Sequence, residues 1–297
     1  MRALVLVAVL ASCSIARPQI DPNFNYDLAK AARELDFFKV KSLLDSGVDP
    51  NSTMASELGG GKVIMWAASM ASKEQPPERV KDLNRLIFML LEAGASPAEG
   101  HPVSGGPFKH LLHSAAANLN EELLAYQLNL NPPDIWSRTS SGNRLSTPLM
   151  NAIGVGTGET IPNYARDDRH YARRVRVVTM LCEAGADPLL TNDLGTSIIN
   201  YVSFFGYFEL LRPMLEKDGA GRASYTSLKT HSCPEGYNAL HSACLRDTAD
   251  NAECVRILLA AGANVREKDA KGRTAHQIAR EKGHARILEA LGPEPPP

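Results

Sequence analysis

Eight histidines and five cysteines are the residues of this sequence with the most chemistry to offer. A neutral imidazole can move a proton or bind a metal, and a thiolate can attack carbon or hold zinc. Spacing decides whether such groups act together. There is no Cys-x-x-Cys pair and no His-Glu-x-x-His, Gly-x-Ser-x-Gly or Walker sequence. Gly59-Gly60-Gly61 has neither the preceding strand nor the Lys-Ser/Thr ending of a phosphate loop, so it reads as a glycine-rich turn. Asp167 and Asp168 are adjacent in sequence and read as solvated. Nothing in these spacings asks for catalysis, a metal or a cofactor.

The formal net charge is −1, which gives no global bias toward nucleic acid or an anionic membrane. One segment departs from that balance. Asn163–Val177, NYARDDRHYARRVRV, carries five arginines and one histidine. Charge runs of this kind usually form a solvated helix face. The sharper reading is a protein-contact surface anchored by Tyr164, Arg169, Tyr171 and Arg173, because Tyr and Arg are over-represented among interface hot spots. The two Asp within the run argue against nucleic acid.

The N-terminus reads as an export signal. Arg2 supplies the positive charge, and Ala3–Ala11 is an apolar run too short to span a bilayer. Leu10-Ala11-Ser12-Cys13 resembles a bacterial lipobox, which would make Cys13 a lipidated first residue of an envelope or periplasmic protein. Ser14-Ile15-Ala16 resembles an ordinary cleavage site, which would release a secreted chain at Arg17. Both readings stand and both place the mature protein outside the cytoplasm; a merely apolar start with no signal role is the third. Residues 1–16 are then signal, 17–25 a linker with Pro18 and Pro22, 26–292 the folded domain and 293–297 a proline-rich tail.

The elements of that domain are short. In Gly236–Val265, Ala239, Leu240, Ala243 and Cys244 form an apolar stripe at helical spacing, and Val255, Ile257, Leu258 and Leu259 form a second. Gly262 follows where a helix end favours a left-handed residue. Neither helix is long enough to stand alone in water, so each must bury its stripe against a copy of the same unit. The copies are visible in the recurring endings LLDSGVDPN (Leu43–Asn51), LLEAGASP (Leu90–Pro97), LCEAGADP (Leu181–Pro188) and LLAAGANV (Leu258–Val265).

These endings, with Thr147-Pro148-Leu149 and Leu240-His241, resemble the ankyrin repeat. The resemblance implies an all-α solenoid of about seven helix–turn–helix repeats, each with a helix A, a helix B and a projecting β-turn finger. It also implies that His241 and His113, at the histidine of the Thr-Pro-Leu-His pattern, tie neighbouring fingers together. Cys182 and Cys254 fall on helix-B core positions and Cys244 on the second Ala of helix A. All three read as small buried hydrophobes, with a Cys244–Cys254 disulfide as the alternative, since export permits one. Pro213 falls inside a helix B and is expected to kink or break it.

Between opening and closing glycine, alternate repeats run longer than the pattern: Gly61 to Gly94, Gly142 to Gly185 and Gly236 to Gly262. The extra residues fall between helix A and helix B, in loops near Ser72–Val80, Gly154–Ala172 and Arg246–Asn251. Insertions in one connection land on one edge of a solenoid. With helices packed about 8–10 Å apart, these loops are expected roughly 20 Å from one another. The sequence thus reads as an exported, monomeric ankyrin-repeat protein that binds another protein. It reads as neither an enzyme nor a nucleic-acid binder, and meets a membrane only through a lipid on Cys13. An envelope-tethered structural or protective factor is the alternative, and a hydrolytic or metal enzyme using the finger histidines is a distant third.

Overall fold

The computed structural model describes residues 25–54, 61–97, 111–130, 139–141, 144–154, 170–191, 197–215, 236–294 and 296. Fourteen helices among them form seven consecutive pairs. They are α1 (Tyr26–Glu34) with α2 (Phe37–Asp45), α3 (Val63–Met70) with α4 (Pro77–Glu92) and α5 (Leu111–Ala117) with α6 (Glu121–Asn129). Then follow α7 (Pro148–Ile153) with α8 (Tyr171–Glu183), α9 (Ile198–Phe205) with α10 (Phe208–Leu215), α11 (Ala239–Ala243) with α12 (Ala249–Ala260) and α13 (Ala275–Lys282) with α14 (Ala285–Leu291). No helix among the described residues is long and apolar enough to cross a membrane.

Local chemistry fixes where these helices begin. Asn25, Thr147, Ser197, Asn238 and Thr274 each accept, through the side chain, a hydrogen bond from the backbone N–H three residues on. Asp36, Asn120 and Thr248 do the same for second helices. Each cap satisfies a donor that a helix start otherwise leaves open. At the far end of α12, Gly262 adopts φ +90°, and the N–H of Ala263 turns back to the carbonyl of Leu258 at 2.9 Å. Pro213 does not break α10, which continues to Leu215. The break that the sequence allowed is therefore absent, although the proline still removes one backbone donor from the helix.

Packing assembles the pairs into two layers. First helices touch first helices of the next repeat (α3 with α5, α5 with α7, α9 with α11), and second helices do likewise (α6 with α8, α8 with α10, α10 with α12, α12 with α14). The stripes meet in one continuous core that includes Leu28, Ile64, Leu86, Leu123, Leu149, Leu181, Leu211, Val255 and Ile278. Two antiparallel strand pairs form finger hairpins: β1 (Thr53–Met54) with β2 (Gly61–Lys62), and β3 (Thr139–Ser141) with β4 (Arg144–Ser146).

At the A–B edge, a polar side chain often caps the open carbonyls of a first helix. Asn118 Nδ2 donates to Ala68 O at 2.9 Å, Asn251 Nδ2 to Ser203 O and Phe204 O, and His284 Nδ1 to Cys244 O. Buried Arg174 donates to Ala152 O in the same way.

Candidate functional site

The connections between paired helices alternate in length, as the sequence anticipates. Repeats one, three, five and seven turn through Leu35–Asp36, Asn118–Asn120, Gly206–Tyr207 and Gly283–His284. Repeat two takes Ala71–Pro76, repeat six Cys244–Thr248, and repeat four everything from Gly154 to His170, of which 155–169 lie outside the described residues. A short turn between two long connections leaves a hollow. Over repeat three that hollow is a recess of about 670 Å³. Pro76, Pro77, Val80 and Lys81 line it from repeat two, and His170 and Arg173 from repeat four.

The two walls touch. His170 Nε2 lies 3.5 Å from Glu74 Oε1, so repeats two and four meet across repeat three. Repeats in a solenoid ordinarily contact only their neighbours. The sequence spacing put these connections roughly 20 Å apart, but Glu74 in the repeat-two connection and His170 at the end of the repeat-four connection are in contact.

The floor is a fixed polar network. Asn84, 1% exposed in the middle of α4, exchanges hydrogen bonds with Asn120, at 3.1 Å one way and 2.7 Å the other. Asn84 Nδ2 also donates to Glu122 Oε2 at 2.8 Å, and Asn120 Oδ1 caps α6 through Leu123 N–H. Beside them Leu119 is wholly buried at φ +53°, a left-handed backbone that disfavours any side chain with a Cβ. Burial of the leucine side chain offsets that strain. Sequence reasoning missed Asn84. Its only signal is an amide at a position where helix B wants an apolar residue.

Charges at the recess are unevenly engaged. Glu121 receives a two-pronged contact from Arg176, Nε at 2.9 Å and Nη2 at 2.8 Å, which raises the Arg176 pKa, first by the hydrogen bond and then by the charge. Arg173 reaches the same carboxylate only at 3.7 Å.

Of the residues singled out in the sequence, Tyr164, Arg169 and Cys13 lie outside the described residues. Arg173 is half-buried and lines the recess. Tyr171 is not a surface anchor. It is 7% exposed, its hydroxyl donates to Glu209 Oε2 at 2.9 Å, and its ring lies 6.3 Å from that of Tyr207. The first turn of α8 points it at repeat five, so the tyrosine joins repeats instead of meeting solvent. Cys244 and Cys254 are wholly buried and form no disulfide, and burial pushes the Cys244 thiol up to about 12. Such a thiol is a packing group and no nucleophile.

The finger edge uses its titratable groups internally. His241 Nδ1 accepts from Asn238 N–H at 3.3 Å, so Nε2 carries the proton and donates to Glu267 O in the next finger at 3.2 Å. Burial lowers its pKa, opposed by the carboxylate of Asp269. Asp269 itself sits low. Its burial works the other way, but hydrogen bonds from the backbone and side chain of Arg273 and from the N–H of Lys271 outweigh it. Where the stack ends, His276 Nε2 bonds Gly292 O at 3.1 Å, so the tail takes the place of a further finger. Among the described residues no three His, Cys, Asp or Glu gather to hold a metal.

The family model for ankyrin repeats in three copies matches residues 169–269 and again 201–294. The fold is similar to the crystal structure of the ankyrin repeat domain of Bcl-3, described there as a unique member of the IkappaB protein family. That likeness has a TM-score of 0.62 at 19% identity and covers 90% of this chain and 98% of that one. The solenoid fold therefore extends well beyond the part that the family model matches. No curated protein matches the sequence.

Proposed function

We propose that the chain is a recognition module that holds another protein along its A–B edge, at the recess over the third repeat. Ankyrin repeats generally mediate protein–protein interaction, and the recess carries the more specific reading. The repeat-two connection and the start of α8, bridged by Glu74 and His170, flank a concavity where a regular stack would show only short turns. Its volume falls in the range of clefts that hold ligands. Arg173 lines it, as a contact residue should. On this reading the module is monomeric, has no catalytic role and no cofactor, and does not engage nucleic acid.

The same proposal places the module outside the cytoplasm, on the pattern of residues 1–16. Residues 26–292 then form the binding domain, after a 17–25 linker and before a 293–297 tail. Lipidation at Cys13 tethers it to the envelope, and cleavage after Ala16 releases it instead. Intact mass decides between the two: an acylated chain beginning at Cys13 is expected, and a soluble chain beginning at Arg17 removes the anchor.

Binding is tested by replacing residues 72–76 with a Gly-Ser linker. Melting and capture of a stoichiometric partner from envelope extracts are then measured together. Unchanged melting with lost capture is the expected result. Capture of the same partner by the shortened chain would move the site to the fingers and the concave face.

A further inference from the structure

The recess has a charge asymmetry that selects the kind of segment it holds. Three carboxylates line it, and each has a partner: Glu74 with His170, Glu121 with Arg176 and Glu122 with Asn84. Lys73 also lines the recess and is itself engaged, whereas two cations on its flanks are held far more loosely. Lys81 is exposed on α4. Arg173 on α8 has only a 3.7 Å approach to Glu121, whose two oxygens are already met by Arg176. A loosely held guanidinium keeps its planar fork available for a carboxylate. Between the cations and the loop, Pro76, Pro77 and Val80 supply an apolar wall.

Resting on the proposed function above, we infer that this recess takes an extended acidic segment of the partner protein. One carboxylate of that segment is bound by Lys81 and Arg173, and the neighbouring aliphatic or proline side chains lie on Pro76, Pro77 and Val80. The three resident carboxylates set the limit on charge. A single acid group finds two cations, whereas the closely spaced phosphates of a nucleic acid would also meet Glu74, Glu121 and Glu122. The buried Asn84–Asn120 pair keeps the floor in place, so binding needs no rearrangement of the stack.

The test selects a displayed random-peptide library on the full chain at low salt, then measures resynthesised peptides by fluorescence anisotropy. Peptides with Asp or Glu beside proline or aliphatic residues are expected. Their affinity should fall about tenfold or more in the double variant Lys81→Gln/Arg173→Gln, the size expected for two partly exposed charge-assisted contacts. It should stay within about twofold when exposed Arg266 and Lys268 of the finger edge are changed to Gln, since charges that far away are screened. The double variant Lys81→Arg/Arg173→Lys keeps both charges and should retain most of the binding, which guards against a folding defect. Peptides that bind the Lys81→Gln/Arg173→Gln chain as well as the original would overturn the recess assignment and leave protein recognition standing. If no peptide is enriched at all, both readings fall.

Discussion

The finger edge of repeats six and seven and the A–B edge of repeats two to four handle charge in opposite ways. At the fingers, Asp269 is buried and ringed by donors: Lys271 N–H at 2.9 Å, Arg273 N–H at 2.8 Å and the Arg273 guanidinium at 2.8–2.9 Å. Arg273 in turn reaches Glu281 and the Tyr237 hydroxyl, both at 2.9 Å. At the recess, by contrast, Lys81 and Arg173 sit in a hollow with little to hold them. Polar groups satisfied by their own chain stabilise the stack and have nothing to offer a partner. Groups left loosely engaged add little to stability and remain available. In this molecule the polar network of the fingers is a structural seam, and the recess is the surface proposed for recognition.

The largest expected effect tests the seam. Asp269→Ala leaves two backbone N–H groups and a guanidinium without their acceptor, and should cost about 3 kcal/mol of folding stability by denaturant titration. Peptide binding at the recess should not change once the chain is folded. A loss below about 0.5 kcal/mol, the scale of an exposed pair, would erase the contrast between the two edges.

Leu119→Gly comes next and probes the recess floor. Truncating a buried leucine costs about 2–5 kcal/mol, and removing a left-handed Cβ returns about 1–2 kcal/mol. A net loss of about 0–4 kcal/mol in melting experiments is the expected balance of these terms. A gain would mean that strain, and not burial, dominates at this turn.

Acid should weaken the seam by a graded amount. His241 has a folded pKa below its ordinary 6.5, so the unfolded chain binds that proton more readily. Its share of stability is complete above pH 6.5 and is lost as pH falls below that value. Asp269 has a folded pKa below its ordinary 3.8, so its share is present above that pH and is lost as pH falls through the still lower folded value. Melting temperature should therefore drop in two stages on acidification. His241→Gln should remove the upper stage and Asp269→Asn the lower.

The smallest effect on stability belongs to the recess cations. Lys81→Gln/Arg173→Gln should shift stability by no more than about 0.5 kcal/mol, as for loosely paired surface charges. A larger loss would make them structural and bring the two edges into line.

How much of this was legible in advance depends on the distance over which each feature is decided. The apolar stripes, the Asn, Ser and Thr caps and the closing glycines are all relations among residues three or four apart, and they specified seven helix pairs. The alternation of long and short A–B connections was likewise open to counting. Tyr171 shows the limit. The sequence reading leaves it in the Gly154–Ala172 loop, but in the stack it opens α8 and faces Glu209 and Tyr207. Arg174 reads as one more charge in a basic run, yet it is buried and caps Ala152 O.

The sequence by itself determined the repeat, its order and the edge on which its insertions fall, because each repeat encodes its own hydrogen bonds and buried face. Tertiary structure alone decided that the insertions of repeats two and four meet as Glu74 and His170, and that Asn84 finds Asn120 36 positions away. It also decided which cations stay loosely held. Those outcomes depend on how stacked repeats bring distant side chains together, and neither spacing nor composition records that geometry.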